Sequence, residues 1–207
     1  MPRLTARTAA ARRQQILDAA TACFAERGIH ATTMQDICQR AGLSPGAVYC
    51  WFTGKEAIIE AVAGERHERE RAMLHAAAAA GDPRTAFRSF FDAYLDWLAD
   101  PAEQQRRRVS VQMWADALVN DRLRPAVEEG TGQQAIARDF IAAAQAGGDL
   151  PADVPADGLA QVMLAIIQGF ILQQAWDPGI DIAGYRQAVG FLIDALTDQR
   201  AGRPGST

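Results

Sequence analysis

The chain has 207 residues, 49% of them hydrophobic and 22% charged, with a formal net charge of −4, the profile of one or two ordinary globular domains. Its three cysteines, Cys23, Cys38 and Cys50, are odd in number and never set as C-x-x-C, which argues against a disulfide framework and against a zinc site. No window approaches the roughly 18 consecutive apolar residues of a membrane span, and "MPRLTARTAAARRQQIL" carries arginines without an apolar core or cleavage site, so the expected location is cytoplasmic.

Alanine is abundant and β-branched runs are scarce, so an all-α fold is expected. The first helix spans about Thr8 to Arg27, with Ile16, Leu17, Ala20 and Phe24 on one apolar stripe and Gly28 as its stop. Thr33 caps the second helix, "MQDICQRA", with Asp36 three residues on, and Gly42 ends it. Ser44 caps a third, short helix to about Phe52, with Pro45 at its first position, where a missing N–H costs nothing. Thr53 and Glu56 form a second capping pattern ahead of a long fourth helix that stops at Gly81 and Pro83. Two helices joined by a short turn containing glycine describe a helix-turn-helix.

The charge is unevenly placed. Residues 1–55 hold seven basic and three acidic groups, and the remainder holds 14 basic and 22 acidic groups. Lys55 is the sole lysine; the other twenty cations are arginines. A basic N-terminal quarter carrying a helix-turn-helix points to a polyanion, and DNA is the leading partner.

Further helices follow. "RTAFRSFFDAYLDWLAD" buries Phe87, Phe91, Tyr94, Leu95 and Leu98, with Asp92, Asp96 and Asp100 on a wetter face. "AEQQRRRVSVQMWADALV" and a helix over about Asp121 to Gln145 precede Gly147-Gly148 and a proline-containing linker. Two apolar helices, Ala156–Trp176 and Ile182–Gln199, and a tail expected to be disordered complete the chain. The resulting division is a DNA-binding domain over 1–54 with a basic N-terminal arm, a larger helical domain over 55–200, and a tail over 201–207.

The segment from Arg12 to Val62 resembles the DNA-binding domain of the TetR family of bacterial transcriptional regulators (TetR/AcrR type). The resemblance rests on the Ile16-Leu17 to Gly28 opening, on Thr33 with Ile37 and Ala41-Gly42, and on Tyr49-x-x-Phe52-x-x-Lys55-Glu56. It covers about a quarter of the chain, and the later helices are consistent with the family's ligand-binding and dimerisation domain. It implies a homodimer whose recognition helices enter successive major grooves of a palindromic double-stranded operator. It also implies a small-molecule effector that shifts the fourth helix, and repression as the usual mode.

The candidate DNA-binding residues are Thr33, Ser44, Pro45, Gly46, Tyr49, Cys50, Trp51 and Lys55. A helix that opens Ser-Pro-Gly-Ala is slim enough to sink into a groove, and Tyr49 one turn on reaches a phosphate or a thymine methyl. By the resemblance, Lys55 clamps a phosphate and Thr33 contacts the backbone. Simple capping by Thr33 and Ser44, a solvated Lys55 and a core-packed Trp51 stay open, as does oxidation of Cys50 as a redox control. The arm with Arg3, Arg7, Arg12 and Arg13 lies either along a minor groove or in solvent.

Trp97, Met113, Trp114, Phe140, Phe170 and Trp176 are the candidates for lining an effector pocket, and Asp92 and Asp116 are acidic candidates for attracting a cationic ligand. The last two helices are expected to form the dimer interface, with Gly169 and Gly190 permitting close approach. His30, His67 and His75 lack any paired carboxylate or nucleophile arrangement, and neither a phosphate loop nor H-E-x-x-H occurs. No enzymatic activity, cofactor or metal is expected.

Overall fold

The computed structural model describes residues 6–128 and 131–197; Arg3 and the 201–207 tail, expected above as arm and disordered end, lie outside them. Among the described residues ten helices run in order: α1 Ala6–Arg27, α2 Met34–Ala41, α3 Pro45–Tyr49, α4 Lys55–Ala78, α5 Pro83–Ala99, α6 Glu103–Ala117, α7 Arg124–Glu128, α8 Thr131–Ala146, α9 Ala156–Trp176 and α10 Ile182–Thr197. No strand occurs among the described residues. The single helix expected over 121–145 is α7 and α8, and Pro83 opens α5 rather than ending α4. There Asp82 is the cap, its carboxylate accepting from the Thr85 N–H at 2.9 Å, and Pro83 takes the first helical position.

The chain divides into two compact units, the first of residues 1–66 and 105–127, the second of 67–104 and 128–207. This division differs from the boundary expected at 54/55. The early residues of α4 and most of α6 belong with α1–α3, because they complete its core. Ile16, Phe24, Ile37 and Val48 are wholly buried there together with Ile58 of α4, Val109 and Met113 of α6, and Leu123. Burying one such side chain contributes about 1.5–3 kcal/mol, so three from the later segment rival the net stability of a small domain, about 5–15 kcal/mol.

Local chemistry sets the first unit's turns. Gly42 adopts φ +65°, and its N–H and that of Leu43 return to the Gln39 and Cys38 carbonyls at 3.1 and 3.0 Å. A side chain would be strained in that left-handed conformation. Val48 and Phe52 anchor α3 and the turn after it to the core. The helix expected to reach Phe52 stops at Tyr49.

The second unit is built around α5 and α10, and α8 and α9. Arg84 and Arg88 near the start of α5 bind Asp194 late in α10, and Arg186 early in α10 binds Asp92 and Asp96 late in α5. This reversed order makes the two helices antiparallel. Asp92 is therefore an ion-pair partner of Arg186, at 2.7 Å. Phe170 stacks on Tyr185 at 4.2 Å between ring centroids, and the Tyr185 hydroxyl donates to the Ile166 carbonyl at 2.7 Å. Burial raises the Tyr185 pKa above the usual phenol value.

α9 is long and apolar enough on average to cross a membrane, by length and composition only. Its apolar residues are interrupted by Gln161, Gln168, Gly169, Gln173 and Gln174, so it holds no run of 18 consecutive apolar residues.

Candidate functional site

α3 presents one small, uncluttered surface. Ser44, Pro45, Gly46, Tyr49 and Cys50 are all exposed or partly so, whereas Val48 between them is buried. The Ser44 hydroxyl accepts from the Ala47 N–H at 3.3 Å, so it caps the helix and holds Pro45 at its first position. A Cβ on Gly46 would meet nothing within 4 Å, so no packing inside the chain asks for glycine there. Tyr49 is 52% exposed. Trp51 is half-buried against the core, which favours the packing role left open for it.

Thr33 at the start of α2 is exposed, but its hydroxyl is engaged. It accepts from the Asp36 N–H at 3.2 Å and donates to Asp36 Oδ2 at 2.7 Å, while the Thr33 N–H donates to the same carboxylate at 2.9 Å. These hydrogen bonds, first that from the Thr33 side chain, with Arg27 2.5 Å away, hold the Asp36 carboxyl below its usual pKa.

Lys55 does something the sequence did not disclose. Its ammonium donates to the carbonyls of Ile29 at 2.8 Å, Thr32 at 3.0 Å and, more weakly, His30 at 3.4 Å. All three ammonium donors are thus directed at the α1–α2 loop. The expectation of a phosphate clamp meets a side chain already used to close a loop. Other cations of this unit are also paired internally, Arg13 with Glu65, Arg27 with Asp36 and Arg40 with Glu26. Arg7, Arg12 and Arg13 lie within α1, so this part of the expected arm is helical.

The same loop is also held by α6. The Ile29 N–H donates to Gln112 Oε1 at 2.9 Å, and Gln112 Nε2 donates to the Phe24 carbonyl at 3.2 Å. His30 Nε2 lies 2.8 Å from Asp116 Oδ1, which gives Asp116 a partner within the chain.

In the second unit a cleft with about 400 Å³ of empty space, its open mouth included, lies among α4, α5, α8 and α9. Its enclosed part is narrow, about 30 Å³, room for one or two water molecules. Leu74, Phe90, Met163, Leu164 and Ile167 make its apolar wall, and Glu70, Tyr94 and Gln134 its polar groups. Glu70 is only 6% exposed, and the Tyr94 hydroxyl donates to it at 2.6 Å. A second hollow shares Leu74, Phe90 and Met163 and is bounded by Phe140.

Of the six residues expected to line a pocket, Phe140 alone borders either hollow. Met113 is core and Trp114 packs under Arg66, both in the first unit. Trp97 lies edge-on to Tyr94 and beneath Arg69, Phe170 is buried on Tyr185, and Trp176 is 75% exposed. Most of these large rings fill core. Glu70 sits in "ERHERER", a run that in sequence has the pattern of a solvated face. No group of three or more His, Cys, Asp and Glu residues is arranged to hold a metal ion among the described residues.

Comparison with known proteins divides the chain in sequence, and the second match includes residues 105–127 of the first unit. Residues 16–62 match the model for bacterial regulatory proteins of the tetR family, and residues 83–198 match that for the C-terminal part of BetI-type transcriptional repressors. The chain is 36% identical over 107 residues to the HTH-type transcriptional repressor Rv1474c of Mycobacterium tuberculosis, covering 52% of this chain and 56% of that protein. It therefore spans about half the length of that relative. It is 30% identical over 176 residues to the HTH-type transcriptional repressor BepR of Brucella suis, covering 82% and 83% of the two chains. The solved SmeT–triclosan complex shares the fold, with a TM-score of 0.78, 22% identity and coverage of 95% and 96%. With more than half the chain matched by one family model and a relative aligned over most of its length, this chain belongs to the TetR family of bacterial transcriptional regulators.

Proposed function

We propose that the protein is a transcriptional repressor that binds a palindromic DNA operator as a homodimer and leaves it when a small molecule enters the α4–α5–α8–α9 cleft. The observation that carries the DNA reading is Gly46. Glycine in a helix is less favourable than alanine by about 0.5–1 kcal/mol, and nothing in the chain occupies the space its missing side chain leaves. An outside surface that approaches the α3 backbone supplies the reason. Pro45 and Ser44 keep that end of α3 slim, Tyr49 extends beside it, and the exposed Cys50 adds a small contact at its rim. Thr33, capping α2, contributes its methyl and backbone rather than a free hydroxyl.

The cleft supports an apolar effector with one polar group placed against Glu70 and Tyr94. A neighbour of the same fold is solved with triclosan, so a small-molecule ligand is in keeping with this fold, and its entry here requires the cleft walls to move apart. The dimer reading rests on α9 and α10, where Val162, Trp176, Phe191 (72% exposed) and Leu192 lie uncovered. A Cβ on Gly169 would meet nothing within 4 Å, which suits close packing of a second copy, whereas the space beside Gly190 is taken by Arg88 of the same chain. Gly190 thus accommodates α5.

The test is fluorescence anisotropy with DNA selected by the protein from a random library, across a salt series. A sequence-specific complex that weakens linearly in log–log salt is expected, and Phe191→Glu should give a monomer by sedimentation with much weaker DNA binding. Failure to select any sequence at low salt defeats the operator reading.

A further inference from the structure

The face that α6 turns to the first unit is a single stripe: Val109, Gln112, Met113 and Asp116, at helical spacings of three and four. Val109 and Met113 enter the core, while Gln112 and Asp116 reach the loop between α1 and α2. Gln112 uses both ends of its amide. It accepts from the first N–H beyond Gly28 and donates to the Phe24 carbonyl in the last turn of α1, and so joins the end of one helix to the start of the loop. One turn farther, Asp116 holds His30. Across the loop, Lys55 takes the carbonyls of Ile29, His30 and Thr32. Thr33, the cap of α2, is the next residue. At the other end of the stripe, Arg106 binds Asp18 of α1 at 3.1 Å, so α6 is fastened along α1 as well as at the loop.

We infer that Gln112 and Asp116 are positioning residues for the DNA-binding surface. They hold the α1–α2 loop from the α6 side against Lys55 of α4, and thereby fix where α2 begins. The loop is gripped by two helices distant in sequence, α4 and α6, each of which also contributes residues to the second unit. This inference rests on the operator reading for its functional meaning, though not for its structural content.

The experiment uses the full-length protein with Gln112→Leu, which keeps the stem and removes both bonds, Gln112→Glu, which keeps the acceptor for the Ile29 N–H, and Val109→Ala as a core control. Hydrogen–deuterium exchange at residues 28–34 is read without DNA, and affinity is read on the library-selected DNA. Gln112→Leu should speed exchange of the loop on the order of tenfold or more and weaken DNA binding by about tenfold, the effect of losing one to two net hydrogen bonds. Gln112→Glu should fall between it and wild type. Val109→Ala should lower the thermal midpoint without singling out the loop. Unchanged loop exchange in Gln112→Leu overturns the inference. So does faster loop exchange with full DNA affinity, since the loop would then not set the binding surface. If the wild type selects no DNA, the operator reading fails by itself, and the exchange result still decides whether the stripe holds the loop.

Discussion

At the level of single residues, the side chains nearest the proposed binding surface divide into those held by the chain and those left facing outward. Lys55 is held. Lys55→Met should lower the thermal midpoint by several degrees, since it strips a loop of charge-assisted hydrogen bonds worth about 1.5–3 kcal/mol together. The salt slope of DNA binding tells the two roles apart: a phosphate contact removes about one from the slope, whereas a loop clamp leaves it unchanged. We expect it unchanged. Gly46→Ala should do the opposite to stability, raising it slightly through helix propensity while weakening DNA binding, as read by melting and anisotropy on one sample. Acid sensitivity is also set here. Asp36, Asp82 and Asp194 have carboxyls held below the usual value, by Thr33, Thr85 and Arg88 respectively. A depressed native pKa means the unfolded chain takes up protons first as pH falls. Their stabilising effect is complete above the unfolded value of about 3.9 and is lost as pH drops through the lower native values. Thermal midpoints should be insensitive to these groups between about pH 7 and 5 and fall below about pH 4, with Asp36→Asn shallower in that fall.

Among the helices, the cleft offers the most direct test. Ala160 of α9 is buried at its wall, and Ala160→Val should take up the space with little overpacking. The expected variant binds DNA as the wild type does but no longer releases it for any compound that displaces the wild type. Full release by such a compound would move the effector site elsewhere. Which elements could be read beforehand follows from the range of the interactions that make them. The caps of α2 and α3 were legible because Thr33 meets Asp36, and Ser44 meets Ala47, three residues away. Gly42 announced a helix end by itself. The partners of Lys55 lie 23 to 26 residues back and those of Gln112 83 to 88 residues back, so no local pattern carried them. Val109 and Met113 looked like the apolar face of any helix. Nothing in their spacing says which core receives them.

For the whole molecule, the decisive fact is that the first unit is assembled from two separate stretches of chain. A fragment of residues 1–78 keeps the whole helix-turn-helix and α4, yet lacks Val109, Met113, Leu123 and the Gln112 bonds. It should be largely unfolded by circular dichroism at room temperature, whereas the full chain melts cooperatively. A fragment that folds and binds DNA with full affinity would show that the later segment merely decorates the core.

The same interleaving limits how new specificities arise in such a regulator. A recombination that joins the N-terminal quarter of one relative to the remainder of another would bring in a foreign α6 beneath the donor's α1. Gln112 would then be missing or misplaced beneath the Phe24 carbonyl. Exchange of operator preference between relatives should therefore proceed by substitutions on the exposed face of α3, or by paired crossovers that carry residues 105–127 along, rather than by a single joint.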